Sequence, residues 1–220
     1  MKSVLITGAN RGIGLALTKR FLADGYKVFA VCREASVGLA KTKAQIIEGV
    51  DLLHEQTFHN LFQALGNEKI DVLINNAGIL ERESLTDMNF DTVLKQFQVN
   101  ALAPLKVTVA LLPYLNEHAK VAMITSRMGS INDNGSGGYY GYRMSKAALN
   151  AASVSLARDL HEQGVAVAIL HPGFVQTDMV GGAGDIDPDT CALRLKQRID
   201  ELNVANSGTF WHSNGDILPW

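Results

Sequence analysis

The sequence predicts an α/β fold in which helices cover both faces of a doubly wound parallel sheet of six to seven strands. Two observations carry this prediction. Short apolar runs rich in β-branched residues alternate with helical stretches along the chain. The runs lack polar alternation, which is typical of parallel strands that are covered on both faces. Such strand–helix alternation favours right-handed crossovers between parallel strands.

Six runs are predicted to be strands, and a seventh near the end of the chain would complete the sheet. In chain order they are Ser3–Thr7, Lys27–Cys32, Gln45–Val50, Asp71–Asn75, Lys120–Thr125, Val165–His171 and Thr209–His212. Helical periodicity appears between them. The stripes with i, i+3, i+4 spacing comprise Ile13, Leu17 and Phe21 behind the first strand, and Phe58, Leu61, Phe62 and Leu65 before the fourth.

Length and composition fit one domain over residues 1–220, with no linker or repeat. The glycine-rich stretches 132–138 and 181–184 are expected to be mobile loops at the carboxyl ends of strands, where such sheets bind ligands. We expect a short substrate loop near 179–192. No element suggests a separate substrate domain.

Charge and hydropathy exclude several classes of partner. The formal net charge is −2 and charges of both signs are interspersed, so nothing indicates nucleic-acid binding. No apolar stretch approaches the ~20 residues of a membrane-spanning helix, and the first apolar run is too short for a signal peptide. Cys32 and Cys191 are far apart, which suggests a reduced, cytoplasmic protein. The six histidines show no metal-ligand spacing, so no metal is expected.

A glycine-rich turn follows the first predicted strand. Gly8, Gly12 and Gly14 there would permit a tight turn and let a pyrophosphate approach the backbone and the helix N-terminus. Their spacing is G-x-x-x-G-x-G and not the more general G-x-G-x-x-G, and a turn without a ligand is the alternative. The position between the first strand and the first helix favours a dinucleotide site.

The end of the second strand should select the cofactor. An acidic residue there is typical of NAD and an arginine of NADP. Arg33 could hold a 2′-phosphate, and Arg11 in the glycine loop could reach the same group. Glu34 is a possible ribose ligand and favours NAD. Two arginines against one acid predict NADP(H), with NAD(H) less favoured.

Tyr142 and Lys146 lie four residues apart, so a helix would place them on one face. A nearby ammonium favours a phenolate, and we therefore expect Lys146 to lower the pKa of Tyr142. A phenol so tuned can exchange a proton with a carbonyl or an alcohol. The alternative is that Tyr142 only packs within the aromatic cluster Tyr139–Tyr142.

With these motifs in place, the chain resembles the short-chain dehydrogenase/reductase family over about Lys2–Met179. The matching motifs are T-G-x-x-x-G-x-G at Thr7–Gly14, N-N-A-G at Asn75–Gly78, Val99-Asn100, Ser126, Tyr142/Lys146, and P-G-x-x-x-T at Pro172–Thr177. The run Ser126–Ile131 and the compact end of the chain look most like sniffer-type carbonyl reductases and C-factor proteins. The resemblance implies a Rossmann fold.

The resemblance also implies the site residues. Asn100, Ser126, Tyr142 and Lys146 would be catalytic. The cofactor-binding residues would be Gly8, Asn10, Arg11, Gly12, Ile13, Gly14, Arg33, Asp51, Leu52, Asn75, Ala77, Gly78, Tyr142, Lys146, Pro172, Gly173, Val175 and Thr177. Ser126 and Tyr142 are 16 residues apart, which is wider than usual in the family, so Ser130 is a rival for the serine role.

The expected activity is NADP(H)-dependent hydride transfer between a small carbonyl and its alcohol. The alternative is a signalling or sensing protein that binds the dinucleotide with little turnover. A sugar epimerase or dehydratase is disfavoured because the chain lacks a G-x-x-G-x-x-G loop and a larger substrate domain. Two long helices, about Phe90–Tyr114 and Tyr142–Gln163, are expected to form a homodimer or homotetramer.

Overall fold

The computed structural model describes all residues 1–220 and contains one seven-stranded, wholly parallel sheet. The strand order is β3-β2-β1-β4-β5-β6-β7, so the chain winds outward in both directions from β1 and β4. The strands are β1 Ser3–Thr7, β2 Lys27–Val31, β3 Gln45–Ile47, β4 Ile70–Asn75, β5 Leu115–Ile124, β6 Ala166–His171 and β7 Phe210–His212. The predicted fold class is confirmed, including the seventh strand.

Two strands differ from their predicted bounds by more than one residue at an end. β3 ends at Ile47, three residues before the predicted end. β5 begins at Leu115 and not at Lys120, and its register against β4 shifts between Ile70 and Val72. Asn116, Glu117 and His118 interrupt this early part of β5 with polar side chains, so it carries no apolar run for a sequence pattern to detect.

Seven α-helices connect the strands. They are α1 Gly12–Ala23, α2 Val37–Ala40, α3 His59–Leu65, α4 Phe90–Phe97, α5 Ala103–Leu111, α6 Tyr140–Asp159 and α7 Pro188–Glu201. A π-helical turn, Gln98–Leu102, joins α4 to α5, so the predicted long helix after β4 is present with an irregular middle. None of these helices combines the length and the apolar character that crossing a membrane requires.

The sheet has a hydrophobic core on each face. Side chains of a strand alternate between faces, and in β1 Val4 and Ile6 pack on the side of α1 and α7. Leu5 points to the opposite side, where α3, α5 and α6 lie. Burial on both faces explains why the strands show continuous apolar runs.

Helix α7 is absent from the sequence-based predictions. The Asp187 side chain caps it by accepting from Thr190 N at 2.8 Å, and Pro188 occupies its first turn. Cys191 and Leu195 are fully buried in the core shared with α1. The predicted substrate loop near 179–192 is therefore shorter, because it ends where α7 begins.

Candidate active site

The glycine loop between β1 and α1 has a conformation that only glycine fits. Gly8 and Gly12 have left-handed backbone angles, φ +65° and +52°. A Cβ on Gly14 would lie 2.1 Å from the Gly8 carbonyl oxygen, and a Cβ on Gly8 would lie 2.8 Å from Ala77 Cα. The first turn of α1 has no side-chain cap. Its free backbone N–H groups and partial positive charge suit a phosphate.

Asn76 holds this loop and was missed as a site residue by the sequence reasoning. Its Nδ2 donates to the carbonyl oxygens of Thr7 and Gly8, each at 3.1 Å. Thr7 Oγ1 accepts in return from the backbone nitrogens of Asn76 and Ala77 at 3.1 and 3.2 Å. The N-N-A-G motif was the available signal, but spacing could not show which of its two asparagines faces the loop.

Asn75 points the other way. It is 3 % exposed, and its Nδ2 donates to Thr108 Oγ1 at 2.9 Å in the core beneath the site. The predicted binding side chain therefore lies inside the fold, because successive side chains of a strand face opposite sides. Ala77 and Gly78 follow β4 at the edge of the cleft, and both are half-buried.

The predicted adenosine side is open and polar. The Asn10 side chain accepts from Ser36 N, which links the glycine loop to α2. Arg11 pairs with Asp178 at 3.4 Å, but both side chains are largely exposed. Arg33 is exposed beyond β2. Half-buried Asp51 and Leu52 form the turn beyond β3, with Asp51 Oδ1 accepting from Leu53 N at 3.1 Å.

The segment after β6 closes the cleft from the other side. Gly173 has φ +99°, and Thr177 lies against the glycine loop, where a Cβ on Gly12 would be 3.2 Å from Thr177 Cγ2. Pro172 is fixed through its carbonyl oxygen, which accepts from Ser213 Oγ at 2.8 Å. Val175 is buried in the core, so only its backbone could face a ligand. The half-buried Ile13 packs on the same core.

Ser126, Tyr142 and Lys146 meet at the carboxyl end of β5. Ser126 follows the strand and is 7 % exposed; Tyr142 and Lys146, on α6, are 8 % and 4 % exposed. Lys146 Nζ lies 5.8 Å from the centre of the Tyr142 ring and donates to the Ile124 carbonyl oxygen at 2.9 Å. The predicted one-face arrangement of phenol and ammonium is present.

The expected direction of the Tyr142 pKa shift is wrong. Burial raises the pKa of Tyr142 to about 12, and hydrogen bonding with Ser126 opposes only part of that increase. Burial also lowers the pKa of Lys146 to about 8. Removing water from both groups disfavours both charges, and this outweighs the attraction that spacing alone suggested. The phenol is therefore firmly protonated at neutral pH.

Asn100 lies in the π-helical turn, fully buried beside this group. Its Oδ1 accepts from Ile79 N at 2.8 Å, and its Nδ2 donates to the Ile79 carbonyl oxygen at 2.8 Å and to Ser145 Oγ at 3.0 Å. A Cβ on Gly78 would lie 3.2 Å from Asn100 Oδ1 and 3.7 Å from Lys146 Nζ. The glycine thus lets the loop after β4 approach both side chains.

The two rival serines have different surroundings. Ser126 Oγ accepts from Met128 N at 3.1 Å, and the Ser126 hydroxyl opposes part of the increase in the pKa of the Tyr142 phenol. Ser130 Oγ accepts from Asp133 N at 3.1 Å and stabilises the start of the following loop. The geometry favours Ser126 for contact with a substrate oxygen.

These residues fit a dinucleotide. The cleft runs along the carboxyl edge of the sheet from the glycine loop, which a Cβ would fill, to the segment after β6. No group of three or more His, Cys, Asp or Glu side chains is arranged to hold a metal ion.

Comparison with known proteins gives consistent matches. The family model described as short chain dehydrogenase matches residues 2–186. The chain is 36 % identical over 226 residues to 1-hydroxy-2-glutathionyl-2-methyl-3-butene dehydrogenase of Rhodococcus sp. (strain AD45), with all of both chains covered. It is 45 % identical over 154 residues to C-signal of Myxococcus xanthus, covering 69 % of this chain and 93 % of the relative.

Solved structures match along the full length. Carbonyl reductase Sniffer of D. melanogaster superposes with a TM-score of 0.90 at 32 % identity, with all of both chains covered. A carbonyl reductase from Pseudomonas aeruginosa PAO1 in complex with NADP gives 0.83 at 31 % identity, again with full coverage of both.

Proposed function

The chain belongs to the short chain dehydrogenase family, as its motifs predicted, and we propose that it acts as an NADP(H)-dependent carbonyl reductase. The single observation that carries this proposal is the meeting of Ser126, Tyr142 and Lys146 at the carboxyl end of β5, across the cleft from the glycine loop. A protein that only binds a dinucleotide has no need of a buried proton donor.

Tyr142 would donate its phenolic proton to the carbonyl oxygen of the substrate. Because burial raises its pKa to about 12, the phenol carries that proton at every physiological pH, which suits the direction of reduction. Ser126 would donate a hydrogen bond to the same oxygen and stabilise the negative charge that develops there. A bound dihydronicotinamide would supply the hydride to the carbonyl carbon.

Lys146 would stabilise the phenolate that forms when the proton leaves. Its Nζ is held by the Ile124 carbonyl oxygen, and burial lowers its pKa to about 8. It could therefore return a proton toward Tyr142 near neutral pH. Asn100 would hold the loop after β4 in place next to Lys146 and support that proton transfer.

NADP(H) is proposed over NAD(H) because Arg11 and Arg33 are both exposed at the predicted adenosine side. Either guanidinium could pair with a 2′-phosphate. The glycine loop would hold the pyrophosphate, and Gly173 and Thr177 the nicotinamide amide. The P. aeruginosa carbonyl reductase with the same overall fold was crystallised with NADP, which supports this choice.

A second candidate function is signalling with little turnover. The observation that favours it is the 45 % identity to a relative named C-signal. The two functions make different predictions, since a signalling protein would bind the dinucleotide tightly without consuming it on any carbonyl.

A homodimer or homotetramer is proposed through α4, α5 and α6. Five large apolar side chains lie exposed on these helices and on the π-helical turn between α4 and α5: Phe90 76 %, Leu94 56 %, Leu102 38 %, Val109 53 % and Met144 57 %. Contact with a second copy would remove such side chains from water. A solution mass near the monomer's 23.8 kDa would contradict this. The cytoplasmic location expected from the sequence stays a prediction.

The test is oxidation of NADPH and of NADH against a panel of aldehydes, ketones and quinones. We expect turnover with NADPH to exceed that with NADH, and Arg33→Ala to reduce the preference about tenfold, as the loss of one charge-assisted hydrogen bond predicts. Binding of NADPH, followed by its fluorescence, without turnover on any carbonyl would favour the signalling function.

A further inference from the structure

Glu83 is a buried carboxylate that the proposed chemistry does not use. It lies in the loop after β4 and is 4 % exposed. Its Oε1 accepts from Thr92 Oγ1 at 2.9 Å and from Gln96 Nε2 at 2.5 Å, and its Oε2 accepts from Gly141 N at 3.2 Å. A carboxylate is almost never buried so deeply unless its partners fix its position.

The last of these contacts is with the catalytic helix. Gly141 is the second residue of α6, so its backbone N–H belongs to the first turn, where no partner exists within the helix. The Glu83 carbonyl oxygen also accepts from Tyr139 N at 3.0 Å. Glu83 thus holds the start of α6 through both its side chain and its backbone.

Helix α6 has no cap of its own. Its N-cap residue, Tyr139, makes no side-chain capping bond and has a left-handed backbone with φ +52°, and the first turn contains no acidic residue. A negative charge at this end is favoured by the helix dipole. Glu83 supplies that charge from a different segment of the chain.

Gly141 makes the close contact possible. A Cβ there would lie 2.5 Å from Gln96 Nε2 and 3.1 Å from Glu83 Oε1. Gln96 is fully buried, and its Oε1 accepts from Glu81 N at 2.9 Å. The group Glu83, Gln96, Thr92 and Gly141 therefore joins the loop after β4, α4 and α6 at one point.

We propose that Glu83 is a positioning residue that caps α6 from the loop after β4 and thereby sets the orientation of Tyr142, the next residue after Gly141. This inference rests on the proposed reductase function. A tyrosine in the first turn of an uncapped helix would fray with that turn, and a misplacement of about 1 Å can cost on the order of 100-fold in rate. The cofactor loop, on the far side of β4, is untouched by this contact.

The first test compares Glu83→Ala with Glu81→Ala. Glu81 is exposed on the same loop, and its side chain makes no hydrogen bond or ion pair, so it is a matched control. We expect Glu83→Ala to lower kcat about 10- to 100-fold with little change in KM for NADPH, because only the proton donor is displaced. Glu81→Ala should keep the activity of the unaltered protein.

The second test is a rescue by exchange. In Glu83→Gln alone, the new amide N–H₂ group must face another donor, either Gly141 N or Gln96 Nε2. Because one hydrogen bond is then lost, this single variant should also lose activity. In the double variant Glu83→Gln/Gln96→Glu the new amide can accept from Gly141 N and donate to the new carboxylate. That carboxylate can still accept from Glu81 N. We expect the double variant to recover to within about threefold of the unaltered kcat if the hydrogen-bond pattern positions α6.

Two results would overturn the proposal while leaving the reductase function intact. One is an unchanged kcat in Glu83→Ala. The other is a parallel fall of kcat, NADPH affinity and thermal stability that the double variant does not reverse, since that pattern indicates general destabilisation.

If the unaltered protein reduces no carbonyl, the reductase function fails and amide hydrogen exchange decides the structural part. We expect the amides of residues 139–146 to exchange faster in Glu83→Ala than in the unaltered protein, and at an unchanged rate in Glu81→Ala. Unchanged exchange there would overturn the capping role independently of activity.

Discussion

The two halves of the cleft are built by different means. On the β1 side the backbone makes the site, through the left-handed Gly8 and Gly12 and the contact of Gly14 with the Gly8 carbonyl oxygen. On the β5 side buried side chains make it, with Lys146 and Tyr142 both removed from water.

This difference has an energetic consequence. In the backbone half, glycine adopts the left-handed conformations without a steric penalty, but it loses more conformational entropy on folding than other residues do. The side-chain half costs desolvation, because an ammonium is held in the interior and its pKa falls to about 8. We therefore expect substitutions in the first half to affect binding, and substitutions in the second half to affect rate and pH dependence.

After the loss of Tyr142 or Lys146 themselves, the largest effect on rate is expected at Ser126. Ser126→Ala should lower kcat about 100- to 1000-fold, as loss of a donor to a developing oxyanion does, and leave NADPH binding unchanged. Ser130→Ala is the matched comparison and should stay within about threefold, because its hydroxyl only accepts from Asp133 N. Steady-state kinetics check both, and equal losses in the two variants would remove the distinction between these serines.

The next largest effect is expected in the glycine loop, the half of the cleft that the backbone forms. Gly14→Ala places a methyl group 2.1 Å from the Gly8 carbonyl oxygen, so the loop must shift. We expect NADPH affinity to fall about 10- to 100-fold, in line with the cost of overpacking. Gly135→Ala is the control, since its Cβ would meet nothing within 4 Å. Fluorescence titration measures both, and tight NADPH binding by Gly14→Ala would show that this loop does not hold the cofactor.

The smallest effect concerns stability. Lys146 has an ordinary pKa of 10.5 and a folded-state pKa of about 8, so between these values the unfolded chain binds the extra proton. Its contribution to stability is therefore present above pH 10.5 and is lost as pH falls toward 8. Lys146→Met should abolish turnover yet stabilise the fold at pH 7 by about 1–3 kcal/mol, offset in part by the lost bond to Ile124.

Thermal unfolding at pH 7 and pH 9.5 checks this prediction. The stabilisation in Lys146→Met should shrink at the higher pH, where the unaltered protein has regained part of its stability. Tyr142 is present in both proteins, so its own titration cancels when their stabilities are compared. A gain that is equal at the two pH values would contradict the assigned shift.

The two halves also differ in how far sequence predicts them. Glycine spacing and the Tyr142–Lys146 interval are local, and the structure places both as expected. The orientations of Asn75 and Asn76 depend on which face of β4 each side chain takes, which the motif does not state. Glu83 reaches Gly141 across 58 residues of chain, a contact that no local pattern contains.

The sign of the Tyr142 pKa shift and the presence of helix α7 both differ from the predictions made from the sequence. The Tyr142 shift had the wrong sign because burial, which depends on the whole fold, dominates the effect of the nearby lysine. Helix α7 was missed although Cys191, Leu195 and Ile199 recur every four residues on its buried face. The glycine-rich stretch just before it predicts a loop instead.

The most direct measurement is carbonyl-dependent NADPH oxidation by the unaltered protein and by Tyr142→Phe, with NADPH binding titrated in both. The account predicts turnover that falls about 100- to 10,000-fold in the variant while the dissociation constant for NADPH stays the same. Equal turnover in the two proteins would contradict the assignment of Tyr142 as the proton donor, and with it the proposed site.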